Sequence, residues 1–133
     1  MSARPITGEL EVREVMTPGV VTIVEDASVL QARRAMQAHR VHAVLVLGSV
    51  EGRPLGWITA RDLLNWVDRD ESLAFARTAV TESPRSIAPS ASVREAVTAL
   101  LQPGVTHLLV QRHPDHLPEG VLSELDLLAL GRD

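Results

Sequence analysis

The sequence has no cysteine, no lysine and no tyrosine, and its aromatic side chains come to two tryptophans and one phenylalanine. The lack of cysteine excludes disulfides and thiol chemistry. The shortage of aromatics removes the stacking platforms on which single-stranded nucleic acids are held. Thirteen basic residues, all arginine, stand against 17 acids, and the net charge of −4 gives no general attraction to nucleic acid or to an anionic membrane surface. No apolar run approaches the roughly 20 residues of a membrane span. The opening MSARPITGELEVREV lacks the apolar core of a signal peptide, so a cytoplasmic protein is expected. There is no P-loop, no dinucleotide glycine fingerprint and no nucleophile–base pair.

What the sequence does have is itself, twice. A shift of 64 positions lays residues 12–69 over 76–133 without a gap, and 16 of the 58 pairs are identical. Ser28, Val29, Ala32 and Ala35 fall on Ser92, Val93, Ala96 and Ala99. Gly56, Asp62, Leu63 and Leu64 fall on Gly120, Asp126, Leu127 and Leu128. Two copies imply a pair of similar units around a pseudo-two-fold axis rather than a solenoid. A unit of about 60 residues buries too little surface to be stable alone, so the 133 residues are expected to form one compact domain of two halves. The expected boundaries are a lead-in at 1–8, repeat one at 9–67 and repeat two at 73–132.

Each repeat reads as strand, helix, strand, strand, helix, an α+β pattern. In repeat one, the β-branched run Val20–Val24 suits a strand. Ser28 and Gln31 form a capping box, and Val29, Ala32, Ala35 and Met36 make one apolar helical face, with Arg33, Arg34 and Gln37 facing water. A buried strand over His42–Leu47, a turn over Gly48–Pro54, a strand over Leu55–Thr59 and a short helix over Ala60–Trp66 follow. In repeat two, Ile87 marks the first strand, and Ser92 with Glu95 forms the matching box. Val93, Ala96, Val97 and Leu100 are the apolar face, Pro103-Gly104 stops the helix, Thr106–Gln111 and Gly120–Ser123 are strands, and Leu125–Leu130 is the last helix.

Both third strands end in one phrase: Gly56-Trp57-Ile58-Thr59-Ala60-Arg61-Asp62 and Gly120-Val121-Leu122-Ser123-Glu124-Leu125-Asp126. As pure capping boxes, Thr59 with Asp62 and Ser123 with Asp126 stabilise helix starts by about 1 kcal/mol each. As nucleotide clasps, each carboxylate accepts from the two hydroxyls of a ribose, the hydroxyl and the free N–H groups of the helix start hold phosphate, and the glycine lets a flat base approach the strand.

The phrases V-R-E-V-M-T-P, H-R-V-H-A-V-L-V and G-W-I-T-A-R-D-L-L, followed by G-V-T-H-L-L-V and G-V-L-S-E-L-D-L-L, resemble the cystathionine-β-synthase (CBS) domain over about residues 10–132. The resemblance implies a tandem pair, or Bateman module, that binds adenosine compounds (AMP, ADP, ATP or S-adenosylmethionine) in clefts between the repeats, dimerises and regulates a partner protein. It implies no catalysis and no cofactor. It assigns Thr59 and Asp62 to one site with Arg85, Val105, Thr106 and His107. Ser123 and Asp126 go to the other with Val21, Val41, His42 and Ala43. Asp62 and Asp126 hold ribose hydroxyls, while Ile58 and Leu122, with the valines, flank adenine. Arg61 and Arg85 favour phosphate at the first site, whereas Glu124 and Leu125 stand at the positions matching Ala60 and Arg61, so the Thr59/Asp62 site is expected to be the better nucleotide site.

The five histidines show no metal-ligand spacing, and no metal is expected. Trp57 and Trp66 are expected to pack in a core or at a dimer face. The leucines of the last helix, with Leu63, Leu64 and Trp66, exceed what a monomer can cover, so a homodimer is expected. The competing reading is a structural or interaction module whose clefts bind nothing. A third, with Asp62 or Asp126 as a catalytic acid or base, is the weakest, since both aspartates have another explanation.

Overall fold

A computed structural model describes residues 10–130; the lead-in expected at 1–8 and the last residues of repeat two lie outside them. In chain order the elements are α1 (Val12–Val15), β1 (Thr17–Pro18), β2 (Thr22–Val24), α2 (Val29–His39), β3 (Ala43–Leu47), β4 (Pro54–Thr59), α3 (Ala60–Leu64), a 3-10 turn (Ala76–Ala79), β5 (Ser86–Ile87), α4 (Val93–Leu100), β6 (His107–Val110), β7 (Gly120–Ser123) and α5 (Glu124–Leu128). The α+β pattern of two repeats is present as read. The first strand of repeat one is shorter than the run Val20–Val24, because β2 pairs with β3 only through Thr22, Ile23 and Val24, and Ile87 lies in the first strand of repeat two as read.

The chain divides into two compact units whose boundaries differ from those of the repeats in sequence. One is Val21–Pro84; the other takes the described residues up to Val20 together with those from Arg85 onward. In the first, β2 and β3 are parallel with α2 as the crossover, and β3 and β4 are an antiparallel hairpin, giving the order β2-β3-β4. In the second, β5 and β6 are parallel across α4, β6 and β7 are antiparallel, and β1 adds to the free edge of β7, giving β1-β7-β6-β5.

Each repeat therefore lends its opening segment to the unit built on the other. Val12 N–H donates to the Ala91 carbonyl (2.8 Å) and Val93 N–H to that of Leu10 (2.9 Å), framing a bridge between Glu11 and Ser92. Sixty-four residues on, Ala76 N–H donates to Ala27 (2.6 Å) and Val29 N–H to Ala74 (2.9 Å) around a bridge between Ser28 and Phe75. Val12 and Ala76, one register apart, are both fully buried. The segments dock where each long helix starts, satisfying a first-turn N–H that no intrahelical carbonyl can reach.

The cores follow the expected helix faces. Val29, Ala32 and Met36 of α2 pack with Val44, Val46, Ile58, Ala76 and Ala79. Val93, Ala96 and Leu100 of α4 pack with Val12, Val105, Leu108, Val110, Leu122 and Leu127. Trp57 and its cross-strand partner Leu45 are also buried, on the other face of the β3–β4 hairpin from Val44 and Ile58. Trp57 is thus a buried residue outside the α2 core, and Trp66 is half-buried against that core with the Arg69 guanidinium 5.0 Å from its ring centre.

Two local readings are corrected. Arg33 does not simply face water: its Nε donates to both carboxylate oxygens of Glu71 (2.9 and 3.0 Å), because the inter-repeat linker folds back over α2, where Leu30 N–H donates to the Glu71 carbonyl. The box on α2 closes both ways, Gln31 N–H to Ser28 Oγ (3.0 Å) and Ser28 N–H to Gln31 Oε1 (2.8 Å). On α4 only the hydroxyl half forms, Glu95 N–H to Ser92 Oγ at 3.1 Å. Glutamine and glutamate at this position are equally long, so the difference lies in where the exposed Glu95 side chain is placed rather than in its reach.

Candidate functional site

Thr59 ends β4 in extended backbone and opens α3. Its N–H and hydroxyl both donate to Oδ2 of Asp62, at 2.8 and 3.0 Å, and Asp62 N–H donates back to Thr59 Oγ1 at 3.2 Å. The other carboxylate oxygen, Oδ1, accepts the hydroxyl of Thr81 at 2.6 Å. A carboxylate offers about four lone-pair places. The chain's own donors fill three of those on Asp62, leaving one on Oδ1 of a half-buried side chain.

The second unit repeats this. Ser123 N–H and hydroxyl donate to Oδ2 of Asp126 at 2.8 and 3.3 Å, and Thr17 donates to Oδ1 at 3.0 Å. Thr17 and Thr81 stand 64 residues apart, on the exchanged opening segments. Reading the motif alone misses both threonines, yet the repeat alignment lays one on the other as an identical pair. The signal was in the register.

The motif glycines have a structural purpose that the sequence reading did not give them. A Cβ on Gly56 would lie 2.5 Å from the Glu82 carbonyl oxygen and overlap the Val80 side chain. On Gly120 it would lie 2.5 Å from the Thr17 carbonyl oxygen and 2.7 Å from Met16 Sδ. What approaches each glycine is the backbone of the exchanged segment that carries the threonine, in the place where a base was expected.

The remaining expected residues divide by accessibility. Ile58 and Leu122 have no exposed surface and belong to the helix-covered cores. Their assignment beside adenine is corrected: pairing of Val44 with Ile58 and of Leu108 with Leu122 fixes both on the core side of their hairpins. Val105 is buried in the same core as Leu122, Ala43 is buried, and Val21 and Val41 are partly buried against the α2 core. Arg61, Arg85, His42 and Thr106 are exposed, and His107 is half-buried with Nδ1 2.7 Å from Thr106 Oγ1. Thr59 and Asp62 lie in one unit, and Arg85, Val105, Thr106 and His107 in the other; likewise Ser123 and Asp126 are separated from Val21, Val41, His42 and Ala43. Among the described residues, no group of three or more histidines and carboxylates is placed to hold a metal, and no helix is long and apolar enough to cross a membrane.

The duplicated clasp, with its exchanged threonine, is a property of two matched domains, and comparison with known proteins agrees. The family model of the CBS domain matches residues 12–69 and again 76–133, the same two windows that the chain's self-alignment gives. The chain belongs to the CBS domain family. It carries a pair of these domains, and structures of CBS proteins share its fold. One is a CBS domain protein from Pyrobaculum aerophilum in complex with AMP, with 21% identity, a TM-score of 0.78, and coverage of 90% of this chain and 92% of that one. Another is the CBS domain of the bacterial CNNM/CorC family Mg2+ transporter in complex with ATP, with 22% identity, a TM-score of 0.76, and coverage of 91% and 86%. A curated relative, an uncharacterized 33.4 kDa protein in a ribosomal RNA operon of Thermofilum pendens, is 29% identical over 132 residues. The match takes in 90% of this chain but 43% of the relative, so the CBS pair spans less than half of that protein's length.

Proposed function

We propose that this CBS pair is a non-catalytic regulatory module that binds an adenosine nucleotide, with Asp62 and Asp126 accepting ribose hydroxyls. The carrying observation is the duplication: two hydroxyl–carboxylate clasps in the same register, each built into a helix start and each keeping an acceptor place on Oδ1. The AMP and ATP complexes of CBS proteins with this fold support an adenosine ligand. Arg61 beside Asp62, set against Leu125 beside Asp126, makes the first clasp the stronger for a phosphorylated ligand, and the second the better for a less charged compound such as S-adenosylmethionine. Leu64 and Leu128, one register apart, are 68% and 66% exposed, and Val67 and Leu125 are also exposed. In this reading the exposed apolar side chains of each unit meet a second copy of the chain, and nucleotide binding is passed on to a partner protein. Glutamate at positions 64 and 128 would then turn a dimer into a monomer in sedimentation.

One observation favours the other reading, a module that binds nothing: three acceptor places on each aspartate are already taken by the chain itself. Thermal stability of wild type, Asp62→Ala and Asp126→Ala with AMP, ADP, ATP and S-adenosylmethionine separates the two. A ligand at about 100 times its Kd adds roughly 2.7 kcal/mol, and loss of the ribose acceptor weakens binding about ten- to a hundred-fold or more. No stabilisation by any of the four, with both variants destabilised, would leave the aspartates as helix caps.

A further inference from the structure

Each unit covers the core side of its sheet with one long and one short helix, α2 with α3 in the first and α4 with α5 in the second. The buried faces correspond at the 64-residue shift, but the charges on the outer faces do not. Helix α2 with its cap residue, together with α3, carries Arg33, Arg34, Arg40 and Arg61 against one acid, Asp62. The matching positions, 93–104 and 124–128, carry Arg94 against Glu95, Glu124 and Asp126.

Local pairing sharpens the contrast. Arg33 is neutralised by Glu71, and Asp62 and Asp126 are engaged in their clasps. What stays exposed is Arg34, Arg40 and Arg61 on the first helix pair, and Glu95 and Glu124 with Arg94 on the second. None of these six side chains forms an ion pair among the described residues. Leu64 is exposed among the arginines, and Leu101, Leu125 and Leu128 among the acids. The repeat alignment lays Arg34 on Thr98, Arg40 on Gly104, Arg61 on Leu125 and Ala60 on Glu124. The basic face and the acidic face are therefore properties of this sequence rather than of the shared fold.

We propose that two copies of the chain meet unlike face to unlike face, the α2–α3 face of one copy against the α4–α5 face of the other. The proposal rests on the homodimer reading and fixes its pairing. Like-with-like pairing would set the arginines of one copy against the same arginines of the other, and Glu95 and Glu124 against themselves. Unlike pairing gives each arginine set an acidic partner, twice in a two-fold pair. Exposed leucines are covered either way, so apolar burial does not choose between the two arrangements. Charge does, by attraction in one and by repulsion in the other.

The test is sedimentation of the full chain in about 0.15 M salt, where charges beyond about 8 Å are screened. Four proteins are compared: wild type, Arg34→Glu/Arg40→Glu, Glu95→Arg/Glu124→Arg, and the combination of all four substitutions. Each reversal alone places like charges at both contacts and is expected to weaken the dimer about ten-fold or more. The combination exchanges the signs of the two faces and is expected to restore the dimer. Under like-with-like pairing each reversal replaces one self-repulsion by another, so equal dimerisation of all four proteins would overturn the proposal. The cysteine-free chain allows a second reading that changes no charge, with Leu64→Cys and Leu128→Cys proteins treated with a flexible bismaleimide. Mixed, they are expected to give covalent dimers joining 64 to 128. More dimer from either protein alone than from the mixture would overturn the proposal. A wild type that is monomeric at every concentration reached would overturn the homodimer reading with it and leave both faces to a different partner.

Discussion

The hydroxyl of Thr81 donates to Oδ1 of Asp62 at 2.6 Å, and Thr17 makes the same bond to Asp126 at 3.0 Å. Each threonine arrives on a segment that the other repeat contributes, so the clasp aspartate ties that segment to the hairpin. A ribose diol offers two hydroxyls, and Oδ1 has room for one while the threonine is in place. Thr81→Val removes a bond worth about 1 kcal/mol at an exposed site and frees the second place. The expected result is a lower Tm with nucleotide affinity raised roughly two- to tenfold, read by calorimetry. Weaker binding in both Thr81→Val and Thr17→Val would mean that the threonines orient the carboxylates instead of competing for them.

Gly56→Ala and Gly120→Ala test the same crossing from the other side. Each new methyl meets a backbone carbonyl, of Glu82 or Thr17, which cannot turn away as a flexible side chain would. Overpacking of this kind costs about 1–3 kcal/mol. Urea denaturation should show both losses, with Gly120→Ala partly relieved by Met16→Ala, because Met16 Sδ is the second atom in the way. Stability equal to wild type would mean that the segment shifts freely, and the close approach would then have no structural force.

The two long helices should respond differently to loss of their third residue. Gln31 Oε1 accepts the Ser28 N–H at 2.8 Å, whereas α4 makes no such return bond. Gln31→Ala should therefore cost about 0.5–1 kcal/mol and Glu95→Ala a few tenths, while Ser28→Ala and Ser92→Ala cost about 1 kcal/mol each. Equal losses at 31 and 95 would show that the box glutamine adds nothing beyond helix propensity.

Local features of this fold were legible in sequence, and features made by chain exchange were less so. Ser28 with Gln31, the apolar stripes of α2 and α4, and the motif at each β4 or β7 end all act within a few residues, so periodicity and spacing reveal them. Gly56 and Gly120 were read as room for a ligand because Glu82 and Thr17, the neighbours that need that room, are distant in sequence. Ile58 and Leu122 were placed beside a base because the motif gives no parity; the register with Val44 and Leu108 supplies it. Thr17 and Thr81 are an identical pair at the 64-residue shift, but both lie outside the glycine-to-aspartate motif whose carboxylate they bind.

The exchange of opening segments gives the sharpest test of the architecture. Val12 is fully buried in the core of α4, β6 and β7, and β1 pairs with β7 through Thr17 and Pro18. By linear order these residues belong to repeat one, yet in space they complete repeat two. Val12→Ala leaves a cavity there and should cost about 1–3 kcal/mol. Hydrogen exchange should locate the damage: protection should fall in β6 and β7, at 107–110 and 120–123, and hold in β2–β4. Removal of residues 1–20 should produce the same pattern more strongly, since it also takes away the strand pairing and the bond from Thr17 to Asp126. Loss confined to β2–β4 would mean that the segment supports its own repeat, and equal loss in both would mean that the units open as one.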